Sequence, residues 1–457
     1  MNNEHLSSVA VAGQPDTLFP LPEEPEASKQ PEARSGAPRV LKPDREQARF
    51  MPVYLEQLLP GDHQARLVWH FVQQLDLSEL YAKIRSVAGG PGRDAIDPRL
   101  LLALWLYATL DGVGSARELE RLCDQHNAYQ WLCGGVSVNH HTLSDFRTGL
   151  GDALEKYLVH SVAVLRERGL VDLNRVAQDG MRVRASAGSP SFRRRATLER
   201  YVQEAQEQVA RLRKEMDEDP AANHRQQQAK ARAARERLER VQEALQQLPL
   251  VEASKKKQRK DATQARVSTT DPEARVMKMP NGGFNPAFNV QFATDTKSQV
   301  IVGVDVTNQG SDQGLLEPMV EQITEQHGTR PKEALVDGGF ASLDDIEKLS
   351  TGPTPCTVFM PPPEPRSNQR QANQARADDS PAVVAWRERM ATPEGKAIYK
   401  ERASTAECVN AQARNRGLQR FLVRGLIKVR CIALWYALAH NFSRLSALRI
   451  LTLPPPK

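Results

Sequence analysis

The sequence has no stretch of about 18 consecutive apolar residues, so no membrane-spanning helix is expected of it. Its opening, Met1-Asn2-Asn3-Glu4-His5, carries neither a basic nor an apolar region, and a signal peptide is not expected. Cysteine is scarce. Cys123, Cys133, Cys356, Cys408 and Cys431 are odd in number and never form a C-x-x-C pair, so neither a disulfide framework nor a zinc site is indicated and a reduced cytoplasmic setting fits. Nor is charge of one sign in large excess, since 62 Lys+Arg stand against 56 Asp+Glu. The distribution says more: Lys396 to Arg449 holds 11 basic and 2 acidic residues, a local excess of 9, which is the footprint of a polyanion partner.

What is present divides a 457-residue chain into stretches of different texture, consistent with two or three domains. Residues 1–50 are rich in Pro, Glu, Ser and Gln and are expected to form a disordered tail. Residues 51–170 read as helical. Asp97-Pro98 opens a helix, and Leu100 to Leu106 is apolar on nearly every side and must be buried. Gly112 and Gly114 end it; Ser115 with Glu118, and Thr142 with Asp145, offer capping boxes for the next helices. Short helices joined by tight turns fit a helix-turn-helix DNA reader or a structural bundle equally. His140 and His141 are adjacent and face different ways, so they are read as cap-region polar residues, not as a shared metal site.

Two later stretches each deliver an acid at a strand beside glycine. Asn174 to Ala185 reads as a strand carrying Asp179 before Gly180, with Arg182 and Arg184 on one face, where they are candidates to meet phosphate. Ala334-Leu335-Val336 reads as a short buried strand ending at Asp337, followed by Gly338-Gly339. A turn Asp before Gly180, and an Asp337 that caps the helix begun by Ser342 to Asp345, are the plain alternatives. Between the two acids lie strand Phe288–Ala293, a turn at Asp295–Ser298, strand Gln299–Val306 and a helix from Gly314 to Gln326. Asp305 falls on the polar phase of its strand, and Asp312 reads as the cap of that helix.

Residues 193–260 carry two heptad patterns, Leu198 to Met216 and Ala231 to Leu248, separated by Asp219-Pro220, and predict an antiparallel helical hairpin or an oligomerisation element. Lys255 to Lys260 is a basic run that either touches DNA or is simply exposed. The stretch from Pro361 to Pro381 is Pro-rich and polar, a loop. Helix then resumes, with Glu407 and Arg414 seven apart on one face and Tyr399 and Arg402 on the preceding turns. A salt-bridge network centred on Glu407 is the plain alternative to a functional acid.

The string Pro98 to Leu101, Gly112 to Ser115, Arg117-Glu118-Leu119, Trp131-Leu132 and Thr142 to Arg147 resembles the N-terminal helical region of DDE transposases of bacterial insertion sequences. Tyr399, Arg402 and Glu407 resemble that family's helix motif, with four residues between Arg402 and Glu407 where three are usual and Arg414 where Lys is usual. Gly417 to Gly425 and Leu434 to Asn441 are similar to its C-terminal end. The resemblance implies a mixed α/β fold: an RNase H-like catalytic domain (171–192 and 261–450), an N-terminal all-α DNA-binding region (51–170), a helical hairpin inserted at 193–260 and a polar loop at 361–395. It implies Asp179, Asp337 and Glu407 as catalytic, metal-holding carboxylates. Tyr399, Arg402 and Arg414, with Arg182 and Arg184, are the expected DNA contacts. The cofactor implied is Mg2+, with Mn2+ as substitute. The partners are double-stranded DNA at element ends and target, and further copies of the chain, at least a dimer on DNA, with no membrane. The setting is the bacterial cytoplasm, at the nucleoid. The implied activity is strand cleavage and strand transfer at terminal inverted repeats; the alternatives are a catalytically inactive DNA-binding relative and a coiled-coil scaffold.

Overall fold

The computed structural model describes residues 54–86, 93–218, 224–363, 372–448 and 450. The tail at 1–50 and residues 364–371 of the polar loop lie outside them. Among the described residues, seven α-helices precede the first strand: α1 (Gln64–Gln73), α2 (Ser78–Tyr81), α3 (Pro98–Leu110), α4 (Ala116–Gln125), α5 (Asn127–Cys133), α6 (His140–Thr148) and α7 (Gly151–Glu167). Asp97 caps α3 through Arg99 N, and apart from half-buried Arg99 α3 is buried from Pro98 to Thr109, as a helix apolar on nearly every side must be. Ser115 caps α4 through Glu118 N. The box expected at Thr142 is corrected: Asn139 caps α6 by accepting from Thr142 N, so α6 starts earlier and Thr142 lies inside its first turn. His140 is held by Glu120, which accepts from both its backbone N and its ring Nδ1, so it ties α6 to α4.

Strand β1 (Arg175–Arg184) follows. Helices α8 (Arg195–Glu218) and α9 (His224–Lys257) then pack on each other as the inserted hairpin. Its apolar seam is tightest at the base, where Leu198, Val241, Ala244 and Leu248 are buried with Ala265 and Val267. Two-residue strands β2 (Phe192–Arg193) and β3 (Val267–Ser268) pair there and close it. The chain returns through β4 (Arg275–Lys278), β5 (Phe284–Asp295), β6 (Ile301–Thr307), α10 (Leu316–His327), β7 (Glu333–Leu335), α11 (Leu343–Ser350) and β8 (Thr357–Phe359). It ends in α12 (Pro381–Ala391), α13 (Pro393–Arg402), α14 (Cys408–Asn415) and α15 (Leu426–Ala447).

Within the sheet, β6, β5 and β1 are antiparallel neighbours, while β7 and β8 run parallel to β1. β4 lies on the β6 edge of β5, since Ala287 pairs with both Arg184 and Arg275. This is the RNase H-like arrangement. The row Gln178, Ala293, Gly303 faces α10, and a Cβ on Gly303 would stand 2.6 Å from Met319 Sδ, so the glycine lets α10 lie close on β6. The next row, Asp179, Phe292, Val304, points to the other face, toward α14 and α15.

Helix α15 is apolar along most of its length and packs against α7, α3 and β6, so the helical bundle and the sheet share one hydrophobic core. Asn441 holds β6 directly: its Oδ1 accepts from Ile301 N at 2.8 Å and its Nδ2 donates to Ile301 O at 2.8 Å. A side-chain amide thereby satisfies part of a sheet edge. Among the described residues no helix is long and apolar enough to cross a membrane.

Candidate active site

Three elements meet at one guanidinium. Register sets the first two. Val176 pairs with Ala334 and Ala177 with Leu335 in parallel strands, and the same offset two residues on brings Asp337 alongside Asp179. Asp179 is mostly buried; its Oδ1 accepts from Arg402 Nη2 at 3.0 Å and Gly180 N at 3.0 Å, and its Oδ2 from Asn410 Nδ2 at 2.9 Å. Asp337 follows the end of β7 and caps the short turn Gly338–Phe340, with Oδ1 accepting from Gly339 N at 2.8 Å. Its Oδ2 lies 3.7 Å from Arg402 Nη2. Ser342 caps α11 itself, so Asp337 is not that helix's cap.

Glu407 completes the set, with Oε1 2.6 Å from Arg402 Nη1. Arg402 ends α13, and between it and α14 the chain makes a single π-helical turn, Ala403–Glu407. In an α-helix, residues five apart point about 140° away from each other. The wider turn restores them to one face. The extra residue between Arg402 and Glu407 is therefore absorbed by the backbone, and the departure in spacing leaves the pair intact. Tyr399 sits one turn before Arg402 and is half-buried. Arg414 lies near the end of α14, half-buried, and pairs with no acid among the described residues.

Arg182 and Arg184 lie on the opposite strand face from Asp179 and are not part of this cluster. Arg182 is taken: its Nη2 donates to Asp312 Oδ2 at 2.6 Å and to Gly310 O at 3.1 Å. Asp312 is not a helix cap, a correction to its sequence reading. It is buried, and its Oδ1 also accepts from Asn289 Nδ2 at 2.6 Å and Gln291 Nε2 at 2.8 Å. This network lies directly over Gly180, where a Cβ would stand 2.1 Å from Asp312 Oδ1. Arg184 is exposed, and its backbone pairs with that of Arg420. Asp305 is half-buried on β6 and takes no part in the acid cluster.

Sequence reasoning passed over Asn410, which is buried and fixes the second oxygen of Asp179. Its spacing from Glu407, three residues and so one helical turn on the same side, was the available signal. Burial pushes the Asp179 carboxyl above its ordinary value, Arg402 and Asn410 pull it back, and nearby Asp337 and Asp312 add to the rise. Burial works against the charge of Arg402, yet Asp179, Tyr399, Asp337 and Glu407 together raise it. Burial also raises Tyr399.

The donor set is three carboxylates, hard oxygen ligands of the kind Mg2+ prefers, and a cation already stands among them. In that sense the residues fit a divalent ion. Among the described residues no group of three or more His, Cys, Asp or Glu side chains is arranged to hold a metal ion as the acids now stand around Arg402.

Residues 53–149 match the family model for a transposase domain (DUF772), and residues 364–446 match that for a transposase DDE domain. The first covers α1 to α6, and the second contains Arg402, Glu407, Asn410 and Arg414. No curated protein and no solved structure matches the chain. The two family matches, which flank most of the RNase H-like sheet, support a DDE transposase of insertion sequences.

Proposed function

We propose that the chain binds the terminal inverted repeats of its own insertion sequence, cuts DNA there and joins the freed end to target DNA. One observation carries this reading. Acids from β1, from the end of β7 and from the π-turn before α14 converge on a single buried cation. A scaffold built on the α8–α9 hairpin has no use for that convergence, and a DNA-binding relative without catalysis has no need of all three acids.

Asp179, Asp337 and Glu407 would hold divalent ions, Mg2+ or Mn2+, which when bound supply charge at phosphorus and at the entering and leaving oxygens. Asp179 is fixed on both oxygens by Arg402 and Asn410, so it is the preorganised member. Asp337 and Glu407 are half-open to solvent and face the side from which a DNA strand arrives. Arg402, Tyr399 and Arg414 line that approach, and arginine offers a fork that suits two phosphate oxygens. In the first step a water oxygen attacks phosphorus, the bond to the 3′ oxygen breaks, and a 3′-OH is left. In the second that hydroxyl attacks a target phosphorus by the same in-line displacement, joining the element's 3′ end to the target's 5′ phosphate as the target's own 3′ oxygen leaves as a 3′-OH.

The test is a nicking assay on a duplex carrying the element's end, with Mg2+ compared with Ca2+. Strand cleavage with Mg2+ at the repeat boundary is expected. Binding without cleavage under every divalent ion would favour the inactive DNA-binding relative.

A further inference from the structure

Between the turn joining α3 to α4 and the segment 417–422 lies a groove of about 530 Å³, walled by Val113, Leu418, Phe421 and Tyr436. Arg147 of α6 also lines it and is only 7% exposed. Its guanidinium lies 4.5 Å from the centre of the Trp105 ring, and its Nη1 donates to Gly114 O. Its Nε has no partner, and no carboxylate stands within ion-pair distance of it among the described residues. Burial lowers its pKa to about 10. A buried cation without an acid is costly, and the cost is relieved when an anion arrives.

The rest of the groove is built for one. The ten-residue helix α4 begins at its edge, where Ser115 caps it and lines the groove. Arg420 is exposed at the rim. Arg184 N donates to Gln419 O at 3.1 Å and Phe421 N to Arg184 O at 2.8 Å, which sets Arg184 beside Arg420. Glu118 also borders the groove, but its carboxylate is tied to Arg121.

We propose that this groove seats a backbone phosphate of bound DNA, with Arg147 as the buried charge and Arg420 at the rim. The inference rests on the DNA-binding reading above.

The experiment uses the full chain and a fluorescein-labelled duplex ending in the terminal repeat, in Ca2+, over a series of salt concentrations. Arg420→Gln, an exposed change, and Arg147→Gln are compared with the unaltered protein. Each is expected to weaken binding roughly five- to tenfold and to reduce the slope of log K against log[salt] by about 0.9, the signature of one lost phosphate contact. If the unaltered protein binds the duplex and Arg420→Gln matches it in affinity and slope, the groove assignment falls while the DNA reading stands. Failure of the unaltered protein to bind any duplex overturns both. Stabilisation by inorganic phosphate that Arg147→Gln abolishes, with DNA slopes unchanged, would make the groove a small-anion site and overturn the DNA assignment.

Discussion

Arg402 and Glu407 are five residues apart, yet their side chains face each other at 2.6 Å across a single π-turn. The π-turn behaves as a one-residue insertion in an otherwise regular helix. Deleting Ser404 should convert it to an α-helical turn and leave the pair four apart, still on one face. Inserting an alanine after Ser404 should instead carry Glu407 about 100° further round. The deletion is expected to keep strand cleavage within about tenfold of the parent, and the insertion to abolish it, with far-ultraviolet circular dichroism unchanged in both. Loss of cleavage in the deletion and its survival in the insertion would show that the π-turn does not position Glu407.

The shared row of Asp179 and Asp337 yields a second expectation. Asp179→Asn, Asp337→Asn and Glu407→Gln each remove a carboxylate charge and keep the side-chain shape, so cleavage with Mg2+ should fall by about 10³-fold or more. Affinity for the repeat duplex in Ca2+ should hold within about threefold. Full cleavage by any one variant, measured in a nicking assay, would remove that residue from the site.

How much of the fold and the site is legible in the sequence depends on range. Asp179 and Asp337 were legible because each ends or interrupts an apolar strand beside glycine, a local signal. The hairpin of β5 and β6 and the helix α10 were legible for the same reason, through alternation and 3.6-residue periodicity. Arg182 was not, because its partner Asp312 lies 130 residues away and only the folded sheet shows that Gly180 makes room for it. Arg402 was read as a DNA contact from its motif, while its place among three acids is a tertiary fact. The continuity of the helical bundle with the sheet was hidden too, because α15 serves both and nothing in a local window says which neighbours an all-apolar helix will take.

Gly180 gives the third expectation. A methyl group there would overlap Asp312 Oδ1, which already accepts from Asn289 and Gln291 while the other oxygen of the same buried carboxylate accepts from Arg182. Gly180→Ala should destabilise the fold by about 2–3 kcal/mol, read from urea unfolding midpoints. Pairing it with Asp312→Asn, which keeps the clash, should not restore the loss, whereas Asp312→Ala should relieve part of it. An unchanged midpoint in Gly180→Ala would mean the network shifts freely.

His440 sets a pH dependence. It is buried on α15 with Nε2 at 2.7 Å from Gln299 O, and burial lowers its pKa to about 4, against an ordinary 6.5. Above pH 6.5 the ring is neutral in both folded and unfolded chains, and its contribution to stability is whole. As the pH falls from 6.5 toward 4 the unfolded chain takes up a proton that the folded one refuses, so stability is lost by up to about 1.4 kcal/mol per pH unit. His440→Gln lacks that proton. Its unfolding midpoint should change less between pH 7 and pH 4.5 than the parent's, and equal acid sensitivity in the two would rule the histidine out as a source.

Arg402 and a divalent ion would compete for the same three carboxylates. With Arg402→Gln those acids lose the cation that now balances them, and Asp179, the most buried, suffers most. Metal-free thermal stability should drop by about 2 kcal/mol, less than for a fully buried pair because Asp337 and Glu407 stay half-open to water. Mg2+ or Mn2+ should then raise the melting temperature more in Arg402→Gln than in the parent, since the ion enters a cluster no longer occupied by a guanidinium. Adding Asp337→Asn to the variant should remove most of that gain. If the ions stabilise parent and variant equally, the guanidinium does not hold the ground a metal would take, and the acids serve Arg402 alone.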